Sequence, residues 1–181
     1  MRLRKRDYGH TLWKVGLAGA CAAMAVLWPN WRVELQNQGY DLQQGRMTGG
    51  GTCVQDALKV THGFALHCDR DDLPNNLQIS FGSNLFHLES LESAECFNDP
   101  AGGPSSPPKA PFNTYDGIGT GRLNEVSGCT VEFTFTDAGE PGKNDTVDIV
   151  ISCPNGDVSD VVLDIEECRL TGGNHQAHKQ K

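Results

Sequence analysis

Between Cys129 and Cys153 the chain dictates its own pairing. The segment runs Cys-Thr-Val-Glu-Phe-Thr-Phe-Thr, passes through Asp-Ala-Gly-Glu-Pro-Gly-Lys-Asn-Asp and returns as Thr-Val-Asp-Ile-Val-Ile-Ser-Cys. Val131, Phe133 and Phe135 alternate with polar residues, as do Val147, Ile149 and Ile151. This is the period-2 pattern of strands with one buried face. Folding the segment about Pro141 sets Phe135 against Val147, Phe133 against Ile149 and Val131 against Ile151. The same register brings Cys129 opposite Cys153. A one-residue slip would turn each apolar side chain to the wrong face, so register and disulfide support one another. The segment predicts a hairpin at the centre of an all-β domain.

Elsewhere the same alternation recurs. Val60, His62, Phe64, Leu66 and Cys68 share one face of a strand, with Thr61, Gly63, Ala65 and His67 on the other. Leu77, Ile79 and Phe81 form the next strand, and Phe86 and Leu88 the one after. A two-residue turn at Gly82-Ser83 pairs Ile79 with Phe86, with glycine where a type II′ turn needs it. Phe97 to Pro111 holds five prolines and two glycines and reads as a long surface loop. Tyr115 to Asn124 resumes a strand with Gly117, Gly119 and Gly121 on one face. Cys153-Pro-Asn-Gly156 fits a type I turn, after which Val161 would face Ile149 and Leu163 would face Val147. No helical periodicity of useful length follows Pro29. The expected fold is an antiparallel β-sandwich of about seven or eight strands. Residues 47–172 would form it, and 173–181 would be a polar tail.

The first residues have a different character. Arg2, Arg4, Lys5 and Arg6 precede an uninterrupted apolar and small-residue run from Val15 to Trp28. At 14 residues that run is short for a membrane span and suits a signal peptide. Ala23-Met24-Ala25 offers a cleavage site; an uncleaved anchor helix, and a lipoprotein modified at Cys21, are the alternatives. Residues 1–25 are thus expected to be a signal peptide or membrane anchor, and 26–46 a linker or added edge strand. Membrane contact would come only through residues 1–29, if these are retained.

Of seven cysteines, six lie beyond the apolar run: Cys53, Cys68, Cys96, Cys129, Cys153 and Cys168. Their wide spacing, without a C-x-x-C, argues for disulfides over zinc, and disulfides for an oxidising compartment. The expected location is therefore secreted, periplasmic or at the cell surface. Register supplies Cys129–Cys153. The six sulfurs together admit 15 pairings. Residues 1–25 carry five of the 15 basic residues and one of the 23 acidic ones. That leaves ten basic against 22 acidic, a charge of -12 that repels nucleic acid and anionic lipid.

Six collinear stretches carry a family likeness: MTGGG (47–51), VTHGFALHCD (60–69), PNNLQISFGSNLFHLES (74–90), TYDGIGTGRLN (114–124), FTFTDAGEPGKNDT (133–146) and LTGGNHQAHK (170–179). In these the chain resembles a module of large secreted bacterial proteins that often follows a choice-of-anchor P domain, a family with no established activity. The resemblance implies a Cys68–Cys96 bond, because the family usually keeps that pair. With that bond taken as implied, Cys53 and Cys168 are left to each other. Here the module is expected to stand alone behind a signal-like segment instead of trailing a larger protein.

Histidines are the first candidates for chemistry, since imidazole is a common ligand for Zn and Cu. His62 falls among core residues, where a hydrogen-bonded structural histidine is expected. On a strand His62 and His67 point to opposite faces and could not share an ion. His67, His87, His175 and His178 could form a composite metal site if the tail carrying the last two turns back. Acidic loops could instead take Ca. Asp69, Asp71 and Asp72 cluster, as do Asp137, Glu140 and Asp145, and Asp157 with Asp160, none with EF-hand spacing. The Gly117–Gly121 stretch lacks the helix that a phosphate loop caps, and close packing under an aromatic ring is its expected role. No G-x-S-x-G occurs, and with six cysteines paired no thiol among them is left as a nucleophile. The expected protein is a secreted or cell-surface non-enzymatic module with a structural, adhesive or assembly role, no catalytic residues and no cofactor. Its partners would be other extracellular proteins or copies of itself. Alternatives are an extracellular Zn-, Cu- or Ca-binding protein and a secreted hydrolase.

Overall fold

The computed structural model describes residues 41–100, 110–156 and 158–180. The expected signal or anchor segment, and residues 26–40 of the expected linker, lie outside the described residues. Eight strands follow in order: β1 Gly45–Gln55, β2 Leu58–His67, β3 Asn76–Phe81, β4 Asn84–Phe97, β5 Thr114–Leu123, β6 Val126–Thr136, β7 Thr146–Asn155 and β8 Val158–Lys179. Each pairs antiparallel with the next, and β8 returns to β1, so the sheet closes into an up-and-down barrel.

All-β antiparallel structure was the expectation; two packed sheets were not what forms. The correction comes from β8. It is long enough to pair with β7 through its first part and with β1 through Leu170 to Lys179. Residues 173–181 are therefore not a solvated tail: down to Lys179 they are the strand that closes the barrel. Along Gly45–Cys53 and Leu170–Lys179 closure removes the free edges that each layer of a sandwich leaves to be covered. β1 begins at Gly45, two residues inside the expected linker.

Locally, the registers follow the apolar alternation. Val131 pairs with Ile151, Phe133 with Ile149 and Phe135 with Val147. Ile79 pairs with Phe86 across a turn in which Gly82 takes φ of +56°. The β7–β8 pairing departs from expectation. Leu163 faces Ile151 and Ile165 faces Ile149, with bulges at Val147/Ile149 and Ile151/Ser152. β7 continues through Pro154 to Asn155, and the chain reverses at Gly156, whose φ of +62° a tight turn can use. The turn thus comes later than Cys153-Pro-Asn-Gly156 suggested, and that displaces the partner register.

The inward faces fill the barrel with one core that includes Met47, Val60, Leu66, Ile79, Phe86, Tyr115, Phe135, Ile149 and Ile165. Gly117, Gly119 and Gly121 of β5 face inward beneath Phe133, Leu88 and Phe86, where a Cβ would collide. Bonds Cys53–Cys168, Cys68–Cys96 and Cys129–Cys153 cross between strands. The first ties β1 to β8 beside the closing ladder. All six cysteines are buried.

Candidate functional site

Four of the stretches that carry the family likeness meet at one place on the barrel. Gly49 of β1 lies between Phe64 of β2 and His175 of β8, and Gly51 lies between His62 and Gly173. With no side chain at 49 or 51, rings from the flanking strands close over β1 inside the barrel. Phe64 and His175 meet edge to face with centroids 5.1 Å apart, and His62 and His175 at 5.0 Å. Phe135 of β6 stacks on Phe64 at 4.2 Å and on His62 at 5.3 Å. A Cβ at residue 49 would overlap the Asn174 carbonyl, so glycine there lets β1 and β8 approach.

Hydrogen bonding fixes the protons of the histidine pair. His175 Nδ1 lies 3.1 Å from the Thr136 carbonyl oxygen. A carbonyl only accepts, so Nδ1 carries the hydrogen, and the Nε2 of neutral His175 is an acceptor. His62 Nε2, at 2.7 Å, must then be the donor. His62 Nδ1 is left as a buried lone pair with no hydrogen-bond partner. Burial disfavours the imidazolium form. It lowers His62 to about 3, with His175 adding to the effect, and lowers His175 to about 4, against the opposing hydrogen bond to Thr136. Both rings are therefore neutral near pH 7.

The β6–β7 loop, residues 137–145, secures the same part of β8. Past Arg169, β8 has left β7 and pairs only with β1. Its other side is covered by carboxylates. His175 N–H donates to Asp145 Oδ2 at 2.7 Å, and Ala177 N–H donates to Asp137 Oδ2 at 2.8 Å. The remaining oxygens accept from the loop itself, Asp145 Oδ1 from Ala138 N–H and Asp137 Oδ1 from Gly139 N–H. Outside, Glu140 Oε1 accepts from Asn174 Nδ2 and Gln176 Nε2. Those two bonds hold the exposed Glu140 carboxyl below its usual range. Asp145 is fully buried, and desolvation raises it to about 6 despite its two backbone donors.

The composite metal site does not form. His175 points into the core, while His178, an odd number of residues along the same strand, is on the outer face with Nε2 2.8 Å from Thr48 Oγ1. His67 and His178 both flank Arg46 in register, a cation where a metal site would need another donor. The Asn75 carboxamide oxygen takes the backbone N–H of His67 at 2.8 Å and lies 3.3 Å from its ring nitrogen. His87 pairs with Gln78 and Arg122, strands away from β8. Among the described residues no three His, Cys, Asp or Glu side chains are grouped to hold an ion. The Asp137, Glu140 and Asp145 cluster is brought together as expected, but the oxygens that could face a Ca ion accept N–H groups instead. Asp157 lies outside the described residues.

His62 is the hydrogen-bonded core histidine that its position predicted. Its partner was not foreseen, because the two are 113 residues apart. Parity was the available signal: buried His175 and Ala177 alternate with Asn174, Gln176 and His178. No family model, curated protein or solved structure matches the chain.

Proposed function

We propose that this chain is a secreted or cell-surface, non-enzymatic β-barrel module with a structural, adhesive or assembly role, related to the modules that follow choice-of-anchor P domains. One observation carries the reading. The chemically capable groups at the meeting point of the shared stretches, His175, Asp137 and Asp145, are engaged in tying the 137–145 loop and β8 to the barrel. Their geometry serves closure of the sheet. Three disulfides accord with an extracellular or otherwise oxidising compartment. The basic and apolar start of the sequence supports export.

The test is to express the full chain with its own N-terminus in a bacterial host and to fractionate the cells. Intact mass before and after alkylation counts free thiols, and sedimentation velocity reports association with itself or with co-exported protein. Protein outside the cytoplasm with all six barrel sulfurs oxidised is expected. Cytoplasmic retention with free thiols would overturn the reading.

A further inference from the structure

The first part of β8 has a strand on one side only. Val158 to Arg169 runs beside β7, whereas the ladder to β1 begins with Leu170 opposite Cys53. β1 ends at Gln55 and the chain turns at once into β2, so no strand continues along that side. Gln55 reaches across with its side chain, its Oε1 accepting from Glu166 N–H at 3.2 Å. From Val158 to Ile165 the outer side of β8 is an open sheet edge among the described residues.

That edge is apolar and acidic together. Val158 is 63% exposed, Val161 59% and Val162 39%. Residues 146–168 contain Asp148, Asp157, Asp160, Asp164, Glu166 and Glu167, with no Lys, Arg or His. This one hairpin holds six of the chain's 23 acidic residues. Exposed edges template pairing with another chain unless charge, proline or a bulge blunts them. Here the bulge at Val162 bends the edge, and the charge blunts one class of partner: two copies laid edge to edge would bring like-charged hairpins together. The same charge attracts a basic strand. We propose that the β8 edge between Val158 and Ile165 receives an extended segment of another protein in which aliphatic residues alternate with Lys or Arg. Backbone hydrogen bonds along the edge hold the segment, the three valines meet its aliphatic side chains, and the carboxylates meet its cations. The proposal deepens the assembly role above by giving the chemistry of the partner.

The test uses the full chain and a fluorescein-labelled peptide, acetyl-(Lys-Val)4-amide. Fluorescence anisotropy measures binding, and hydrogen exchange read by mass spectrometry locates it. Saturable binding with new protection confined to residues 158–165 is expected. A peptide of the same sequence, N-methylated at alternate residues, keeps every charge but loses the edge-pairing N–H groups; it should bind at least about tenfold more weakly. Val161→Lys, at an exposed site, should weaken the parent peptide as well. Equal binding of the N-methylated peptide, protection elsewhere, or no binding would overturn the proposal. So would concentration-dependent protection of 158–165 without peptide, which would make a second copy the occupant. Failure of these measurements on exported, fully oxidised protein would remove the edge proposal and leave the proposed function in place.

Discussion

The buried histidines make stability depend on pH in a direction fixed by their environment. Folding holds His62 near 3 and His175 near 4, below the ordinary imidazole value of 6.5. The unfolded chain therefore binds protons that the folded chain refuses, and stability present above pH 6.5 is lost as pH falls toward 4. By pH 4 the two together forfeit on the order of 4–6 kcal/mol. Asp145 opposes them. Its raised pKa means that the folded state takes up that proton first, so its contribution grows as pH falls from about 6 through 3.8. Two groups act against one, and the urea midpoint should drop between pH 7 and pH 4. His62→Phe leaves the His175 acceptor unpaired and should cost about 1–3 kcal/mol at pH 7. It should also flatten the pH dependence; an unchanged slope would show that His62 titrates normally. Asp137 has a simpler role. Asp137→Asn keeps the shape but can set an NH₂ against the Ala177 or Gly139 N–H, at a cost of about 1–3 kcal/mol. Hydrogen exchange should speed up at Ala177 before it does in the distant strands.

β5 shows how an element is shaped by what faces it. A Cβ at Gly117 would meet the Phe133 ring, whereas one at Gly121 would meet the His87 backbone carbonyl as well as the Phe86 ring. A ring can swing or be trimmed and a paired backbone cannot. Gly117→Ala should therefore destabilise by about 1–3 kcal/mol, and Phe133→Leu should recover part of that loss. Gly121→Ala should cost more, with no rescue from Phe86→Leu. Equal losses, both rescued, in thermal melts of the double mutants would contradict the packing. The inward glycine face was legible in the spacing of 117, 119 and 121. So were the β6–β7 and β3–β4 registers, because a hairpin's apolar pattern and its turn lie within one window. What was not legible is non-local or patternless. Thr-Gly-Gly-Gly at 48–51 and Thr-Gly-Gly-Asn at 171–174 carry no apolar alternation, so nothing in either marked them as partners. The extra residues that β8 carries against β7 shift a register that counting residues holds constant. The His62–His175 bond needs the closed barrel before its two halves are neighbours, which is why the sequence places His175 in a polar tail and offers it only as a metal ligand.

At the scale of the molecule, closure between β1 and β8 is secured twice, by a covalent bond and by a ladder, and the two can be separated. Cys53–Cys168 spans 115 residues, Cys129–Cys153 only 24. Constraint of the unfolded chain predicts a loss of about 5 kcal/mol when the first pair becomes serine and about 3–4 kcal/mol for the second. Equilibrium unfolding in urea should reproduce that order, with native near-ultraviolet dichroism retained in both variants. Deleting residues 172–181 is a different injury, because it leaves all three disulfides in place. It removes the strand that pairs with Gly45–Thr52, strips Asp137 and Asp145 of the N–H donors from β8, and takes the His175 ring from its contacts with His62, Phe64 and Phe135. Buried carboxylates without donors and a newly opened sheet edge both oppose the folded state. The truncated chain should lose its cooperative unfolding transition and bind a dye that reports exposed apolar surface, though it remains fully oxidised. A dispensable tail would leave both measurements unchanged, so this deletion separates a barrel closed by β8 from a domain that ends before it.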